Sequence, residues 1–223
     1  MIRRALLWTA KFVLWFVIIS VALVILLRFV PVTYTATMLM DERSVTRDWE
    51  PLSRIDRNMV SAVIAAEDGK FCTHNGFDTE AIEQALEERA RGERQRGAST
   101  ISQQTAKNVF LWQGGGWFRK GLEAYFTVLI ENLWDKWRIM EVYLNVAETG
   151  LGTYGVESGA QRYFGHSAAR LSPDEASRIA AVLPSPKTRE AVNPRGFTAR
   201  YGNTIEARIG VVRRDGLDSC VYE

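Results

Sequence analysis

Two adjacent carboxylates, Glu67 and Asp68, follow an apolar run in the segment AAEDGKFCTHNGFD, residues 65–78. The run is expected to be a helix that Gly69 ends in the left-handed conformation. Negative charge is disfavoured at a helix C-terminus, so helix stability does not explain the two carboxylates. An apolar neighbour such as Phe71 raises a carboxyl pKa, as a general base requires. The segment predicts a general base, although a solvated acidic helix end is an alternative.

A second polar segment, RGASTISQQTAKN (residues 96–108), places a hydroxyl, an amide and an ammonium group at helical spacing. If a helix begins at Ser99, then Thr100, Gln104 and Lys107 lie on one face of it. These groups can bind sugar hydroxyls or phosphate oxygens. A polar, solvent-facing helix surface explains the same spacing, so this segment alone is a weak indication.

Adjacent basic residues, Arg119 and Lys120, precede Glu123 in the segment WFRKGLEAYF. Arg119 and Glu123 are four residues apart and share a helix face, where a simple surface ion pair contributes only about 0.2–0.5 kcal/mol. The functional interpretation is that both basic residues join Lys107 in holding a diphosphate. Glu123 would then keep the cations in place.

Aromatic residues flank the three glycines at positions 114–116; they are Trp112, Trp117 and Phe118. Such side chains are enriched at membrane interfaces, so the segment is interpreted as a loop that contacts a membrane. Burial in the protein core is the alternative. A further segment, residues 140–165, combines aromatic residues with glycines that suit tight turns and is interpreted as architecture.

Helical periodicity accounts for most of the chain beyond residue 50. Apolar residues at three- and four-residue spacing predict an amphipathic helix that runs up to Ala66, and Asp78 is suited to cap the next helix. The charged segment RGERQRG, residues 91–97, predicts a mobile loop. Residues 122–144 are apolar nearly all round and predict a buried helix or helix pair.

A further helix start is encoded near residue 172. Ser172 can cap this helix, Pro173 suits its first position, and Glu175 can complete a capping box. Pro184 should end the helix. Since strand signals are sparse, we expect a mainly α fold, with one domain over residues 51–223.

The N-terminal region predicts a membrane anchor. From Phe12 to Leu27 the only residue that is not apolar is Ser20, and about 20 helical residues span the hydrocarbon core of a bilayer. The expected segments are a short cytoplasmic tail, a transmembrane helix and a polar connector, over residues 1–7, 8–30 and 31–50. A cleaved signal peptide is the alternative, but the apolar stretch is long and no Ala-x-Ala site follows it. Basic residues favour a cytoplasmic N-terminus only slightly.

Composition excludes several classes of function. The chain has 223 residues and a formal net charge of +2, which gives no reason to expect a nucleic-acid partner. Its two cysteines are too few for a disulfide framework, and no Cys/His zinc site is expected from them and the two histidines. Cys72 is therefore expected to be a small buried or half-buried side chain.

Taken together, four motifs resemble the peptidoglycan glycosyltransferases of glycosyltransferase family 51, which also form the glycan-polymerising domain of class A penicillin-binding proteins. AAEDGKFCTHNGFD, GASTISQQTAKN, RKGLE and IMEVYLNVAETG…YGVESGAQRYFG occur in the order seen in that family and cover roughly residues 50–195. The Ser-x-x-Lys and Lys-Thr-Gly motifs of a penicillin-binding transpeptidase are not present. The chain is therefore expected to be the monofunctional biosynthetic form.

The resemblance implies a lysozyme-like, mainly α glycosyltransferase domain with a small membrane-associated jaw subdomain, preceded by one transmembrane helix. It implies that Glu67 is the base that deprotonates the acceptor 4-hydroxyl. Glu123 is then a second essential carboxylate that positions the cations or the leaving group. The implied substrate-binding residues are Asp68, Phe71, His74, Ser99, Thr100, Gln104, Lys107, Asn108, Arg119 and Lys120.

The implied substrates are lipid II, a disaccharide-pentapeptide on undecaprenyl diphosphate, and the growing glycan strand. Membrane lipid and cell-wall synthesis or division proteins are the other expected partners, and no nucleic acid is expected. The sequence requires no cofactor and shows no dedicated metal site, although Mg²⁺ or Mn²⁺ could assist at the diphosphate. The implied location is the bacterial inner membrane, single-pass, with the catalytic domain in the periplasm.

Two other functions fit parts of the sequence. A lysozyme-like lytic enzyme that cleaves glycan needs a protonated acid, typically one of a carboxylate pair, and its chemistry gives no role to the basic cluster. A non-catalytic membrane scaffold would keep the fold and lose the activity.

Overall fold

The computed structural model describes residues 2–92 and 97–222 and has the mainly α fold that the sequence predicts. The α-helices of these ranges are α1 (Ile2–Phe29), α2 (Ala36–Leu39), α3 (Arg57–Glu67), α4 (Thr79–Ala90), α5 (Ile101–Phe110), α6 (Gly116–Leu133), α7 (Lys136–Val146), α8 (Val156–Phe164), α9 (Pro173–Val182), α10 (Gly196–Arg214) and α11 (Ser219–Tyr222). Short 3₁₀ helices occur at Leu52–Arg54 and Ala168–Arg170. The loop predicted over residues 91–97 falls mostly outside the described residues.

A small three-stranded sheet accompanies the helices. Its strands are β1 (Thr46–Arg47), β2 (Glu148–Gly150) and β3 (Thr153–Tyr154), in the spatial order β1-β3-β2. β1 runs parallel to β3, and β2 runs antiparallel to it. Because β1 lies within residues 31–50, the segment expected as a polar connector contributes a strand to this sheet.

Short polar side chains begin the helices as the sequence predicts. Asp78 accepts a hydrogen bond from Ala81 N at 3.0 Å and so caps α4. Ser172 forms a capping box with Glu175 at the start of α9. α9 ends at Val182, just before the predicted stop at Pro184.

Two predicted details of helix ends are wrong. α5 begins at Ile101 rather than Ser99, because Thr100 forms a capping box with Gln103 and becomes the N-cap. The Thr100 side chain therefore leaves the polar face that its spacing suggested. α3 ends at Glu67, its C-cap Asp68 has φ −160° and ψ 76°, and Gly69 is not in the left-handed region.

The core surrounds α3, which packs against α9 and α10. Val63 of α3 and Ile179 of α9 are fully buried, and Tyr201 of α10 donates a hydrogen bond to Ala66 O at 2.8 Å. α5 packs against α6 and α7, which are the helix pair predicted over residues 122–144. This packing holds the C-terminal end of α3 in a fixed place beside α5 and α6.

The N-terminal helix α1 is long and apolar enough to cross a membrane, as predicted. Among its described residues only Ser20 and Val24 are buried. Helix α1 packs against α6, and the rest of its apolar surface is largely exposed.

The two cysteines form a disulfide bond, Cys72–Cys220, with their Cα atoms 5.4 Å apart. Cys72 is half-buried as expected, but its pairing was not predicted. The bond ties α11 to the loop that follows α3. Close by, the fully buried Asp218 accepts two hydrogen bonds from Arg57 at the start of α3 (2.9 and 2.8 Å). The C-terminal segment is therefore attached to both ends of α3.

Replacing both cysteines (Cys72→Ser with Cys220→Ser) should lower the free energy of unfolding by roughly 2–5 kcal/mol, because a cross-link over a long loop restricts the unfolded chain. Denaturant unfolding of the full chain in detergent, with and without reductant, measures this change. Reductant should destabilise the wild type to the level of the variant and leave the variant unaffected. Equal unfolding midpoints in all four samples would contradict a stabilising bond.

Candidate active site

A polar groove lies where the end of α3 meets α5 and α6. A cavity of about 290 Å³ within it is lined by Glu67, Ser99, Gln104, Lys107, Arg119, Lys120, Glu123, Leu183 and Pro184. A neighbouring cavity of about 260 Å³ shares Glu67 and Ser99 with it. A larger one of about 500 Å³ shares Gln104 and Lys107. The three cavities therefore form one groove, and Glu67 lines its central part.

Glu67 is the predicted base, and it is the last residue of α3. Its Oε2 accepts a hydrogen bond from Gln104 Nε2 at 2.8 Å, while its buried Oε1 has no hydrogen-bond partner among the described residues. Burial raises the pKa of Glu67; the Gln104 hydrogen bond and the positive charges of Arg189 and Lys107 partly offset this rise. A carboxylate with a raised pKa and an unpartnered oxygen can accept a proton from a hydroxyl group.

Tyr143 on α7 orients the amide of Gln104. Its hydroxyl donates a long hydrogen bond of 3.4 Å to Gln104 Oε1, which leaves the amide nitrogen to face Glu67. Burial raises the pKa of Tyr143 well above its ordinary value, and the charges of Glu67 and Asp68 raise it further. The Tyr143 hydroxyl therefore stays protonated and remains a donor.

Three cations surround one buried carboxylate in the same cavity. Glu123 is only 3% exposed; it accepts a hydrogen bond from Arg119 Nη1 at 2.7 Å and another from Lys120 Nζ. Burial lowers the pKa of Lys107 on α5, and the charges of Arg119 and Lys120 lower it further, while that of Glu123 opposes the change. The cations are thus only partly neutralised, and an anion such as a diphosphate can complete the neutralisation.

Four of the predicted substrate-binding residues support the groove instead of lining its central cavity. Asp68 accepts hydrogen bonds from His74 Nε2 at 2.9 Å and from Ile101 N at 3.0 Å. Phe71 is fully buried in the core. The Thr100 hydroxyl donates a hydrogen bond of 2.7 Å to Gly76 O, in the loop that follows α3. These contacts fasten the loop after Glu67 to the start of α5, although Asp68 and Thr100 also line the 260 Å³ cavity.

The remaining predicted residues lie along the groove. Asn108 lines the 500 Å³ cavity, and the others line the central cavity: Ser99, Gln104, Lys107, Arg119, Lys120 and Glu123. Two residues of the site were not predicted from the sequence: Arg189, whose charge acts on Glu67, and Lys187, which lines the 500 Å³ cavity. Both follow the prolines that end α9. Their place after these prolines does not indicate that either residue lies near Glu67, so the sequence offered no reason to include them.

No metal centre is evident over residues 2–92 and 97–222, where no group of three or more His, Cys, Asp or Glu side chains could hold an ion. The carboxylate nearest to the cations, Glu123, already binds Arg119 and Lys120.

The family described as Transglycosylase matches residues 34–208. The chain belongs to the transglycosylase family. Three similar transglycosylases are each named biosynthetic peptidoglycan transglycosylase. The Caulobacter vibrioides protein is 50% identical over 90% of this chain and 89% of its own length. The Bdellovibrio bacteriovorus protein is 50% identical over 97% of this chain and 90% of its own length. The Rhodospirillum centenum protein is 44% identical over 100% of this chain and 98% of its own length. The transglycosylase domain is lysozyme-like, as the resemblance implied.

In this transglycosylase, Lys120→Ala should weaken binding of a lipid analogue that carries a diphosphate by about tenfold, the effect of losing one charge-assisted contact. A titration on the full chain in detergent measures the affinity. The control ligand has a neutral linker in place of the diphosphate and should bind the wild type and the variant equally. Equal affinities of the two proteins for the charged analogue would contradict a diphosphate site.

Proposed function

We propose that this chain is a peptidoglycan glycosyltransferase that polymerises lipid II into glycan strands during cell-wall synthesis. One observation carries the proposal: Glu67, whose buried Oε1 has no hydrogen-bond partner within residues 2–92 and 97–222, lines the same cavity as Lys107, Arg119 and Lys120. A base for a sugar hydroxyl and positive charge for a diphosphate leaving group are the two parts that such a transfer needs. The family match and the names of the relatives support this reaction.

The reaction is a single displacement at the anomeric carbon of the growing strand. Glu67 takes the proton of the acceptor 4-hydroxyl as that oxygen attacks the anomeric carbon. The bond from this carbon to the diphosphate oxygen breaks, and undecaprenyl diphosphate leaves with the electron pair. Attack opposite the leaving group inverts the anomeric configuration. Because diphosphate is a good leaving group, neutralisation of its charge takes the place of a general acid.

Each wall of the groove has a part in this reaction. The acceptor occupies the 260 Å³ cavity beside Glu67, and the growing strand occupies the central and 500 Å³ cavities. Glu123 is a positioning carboxylate that holds two of the cations. The donor is bound by Ser99, Gln104, Lys107, Asn108, Arg119 and Lys120, and the loop of Glu67 is held by Asp68, Phe71, His74 and Thr100. Any Mg²⁺ or Mn²⁺ that assists is held chiefly by the substrate diphosphate, since these cations favour phosphate oxygens and water.

Helix α1 anchors the enzyme in the bacterial inner membrane, with the catalytic domain, residues 51–223, in the periplasm. The Cys72–Cys220 bond supports this orientation, because disulfides persist in oxidising compartments such as the periplasm and are rare in the cytosol. Residues 1–7 then form the cytoplasmic tail. Both substrates carry lipid chains, so an anchored enzyme meets them in the plane of the bilayer.

The start of α6 forms the membrane-contacting part of a small jaw. Trp117 is 87% exposed and Phe118 is 73% exposed, and adjacent aromatic residues with this exposure suit a membrane interface. Gly114, Gly115 and Gly116 all have positive φ, which lets the chain present these aromatics at a sharp turn. Trp112 packs against the hydrophobic core instead.

A lytic enzyme fits the groove less well than a polymerase. Glycan cleavage needs a carboxylic acid that donates a proton, a part that the raised pKa of Glu67 also suits. Cleavage gives no role, however, to the three cations of the central cavity, and its second carboxylate, Glu123, already accepts hydrogen bonds from Arg119 and Lys120. A non-catalytic scaffold gives no role to the raised pKa of the half-buried Glu67.

Parallel incubations with labelled lipid II and with finished peptidoglycan separate these functions. We expect the full chain to form polymer and release undecaprenyl diphosphate from lipid II, and to release no soluble muropeptides from peptidoglycan. Soluble muropeptides without polymer would favour the lytic enzyme. No product from either substrate would favour the scaffold.

Replacing the base, Glu67→Gln, should lower polymerisation by at least ~10²-fold and leave the fold intact. The control is Glu83→Gln, which changes an exposed carboxylate on α4 and should polymerise at the wild-type rate. Wild-type kcat/KM should fall on acidification at a higher pH than an ordinary carboxylate gives, because burial raises the pKa of Glu67 and only the deprotonated form is a base. A pH–rate profile of the wild type and of Glu83→Gln measures this pH dependence. A wild-type polymerisation rate in Glu67→Gln would refute the assignment of Glu67 as the base.

A further inference from the structure

The one polar residue in the apolar stretch of α1, Ser20, faces the catalytic domain. It is 4% exposed, and its hydroxyl lies 2.6 Å from the Tyr125 hydroxyl of α6. One turn earlier, the ring of Phe16 lies 5.5 Å from that of Tyr125. One turn later, the fully buried Val24 accepts a hydrogen bond through its carbonyl from Trp134 Nε1 at 2.8 Å. A stripe at four-residue spacing therefore docks α1 on the domain.

Arg138 on α7 fastens the end of α1. Its Nε and Nη2 donate to Leu27 O at 3.2 and 2.8 Å, and Nη2 also donates to Val30 O. Leu27 O is among the last four carbonyls of α1, which have no partner within the helix. Arg138 is 7% exposed and pairs with Glu141, which in turn accepts a hydrogen bond from Leu52 N. Arg138 thus connects the helix end to the core.

The docked part of α1 is too long to lie wholly outside the bilayer. The contacts begin at Phe16, and residues 2–15 rise only about 21 Å at 1.5 Å per residue. Since the hydrocarbon core is about 30 Å thick, roughly 9 Å or more of the docked segment lies within it. The face of α6 that packs against α1 lies at the same depth.

Helix α6 carries both the docking face and the proposed diphosphate-binding residues. Phe126 packs against Phe16, with ring centroids 6.5 Å apart, while Glu123 holds Arg119 and Lys120 on the groove side. Because a helix is rigid over this length, docking one face of α6 on the membrane anchor also sets the depth of Arg119 and Lys120, relative to the membrane, on the groove side.

We propose that Ser20, Tyr125 and Arg138 are positioning residues that lock the membrane anchor to the catalytic domain. They hold the cations of the groove at the depth where the lipid-linked diphosphate lies. Within the bilayer no water is present to replace their partners, so the Ser20 and Tyr125 hydroxyls keep their mutual hydrogen bond and the Arg138 guanidinium keeps its bonds to α1. This inference rests on the function proposed above.

The depth of the catalytic domain in the membrane can be measured without an activity assay. A spin label on Phe118→Cys of the full chain in liposomes should report one narrow depth, and adding Tyr125→Phe with Arg138→Gln should broaden the distribution. The control pair is Thr9→Val with Arg28→Gln: Thr9 bonds its own helix at Ala5 O (3.1 Å), and Arg28 is an exposed arginine near the end of α1. The control should leave the depth unchanged. An unchanged distribution in Tyr125→Phe with Arg138→Gln would overturn the inference.

Rates then test the consequence for the reaction. For the double variant Tyr125→Phe with Arg138→Gln, kcat/KM on full-length lipid II in liposomes should fall about tenfold, as expected when an intact site is misplaced. On a short-chain lipid II analogue in detergent it should stay within about twofold of the wild type. Equal losses in both assays would indicate general damage to the fold and would contradict a positioning role. A wild type that makes no polymer from either substrate would refute the proposed function, and the depth measurement alone would then decide the docking.

Discussion

Repulsion among three cations is the constraint that the rest of the groove must satisfy. Lys107, Arg119 and Lys120 line one small cavity, where burial lowers the pKa of Lys107 and the charges of Arg119 and Lys120 lower it further. A single buried carboxylate, Glu123, holds two of them and leaves a net positive charge. The folded protein thus bears an electrostatic strain that a doubly charged ligand relieves, because desolvated charges interact strongly.

The base is kept on a different element from the cations. Glu67 ends α3, whose packing against α9 and α10 fixes its position. It accepts a hydrogen bond from Gln104 of α5 and shares a cavity with residues of α5 and α6. A direct ion pair with a lysine would lower the carboxyl pKa and occupy the oxygen that must take the proton. An amide contact orients Glu67 and leaves Oε1 without a hydrogen-bond partner in the part of the chain that the structure describes. The separation therefore allows one groove to hold a proton acceptor and an anion site together.

The sequence predicts the components of the site better than their contacts. Helical spacing placed Arg119 and Glu123 on one face, and the structure pairs them. Residue spacing did not predict where α5 starts, because Thr100 suits either a position inside the helix or the N-cap. In the structure Thr100 is the N-cap, and its hydroxyl donates a hydrogen bond to Gly76 O. Cys72 and Cys220 are 148 residues apart, and Arg138 gave no pattern at all. Such pairings depend on topology, which a local reading of the chain does not contain.

The central claim is that the Glu67 carboxylate and the cluster of Lys107, Arg119 and Lys120 act on one substrate pair in one groove. A structure of the full chain bound to an uncleavable lipid II analogue tests it most directly. We expect diphosphate oxygens within hydrogen-bond distance of Lys107, Arg119 and Lys120, and the acceptor 4-hydroxyl within hydrogen-bond distance of the Glu67 carboxylate. A diphosphate bound away from these cations, or a 4-hydroxyl beyond the reach of Glu67, would contradict it.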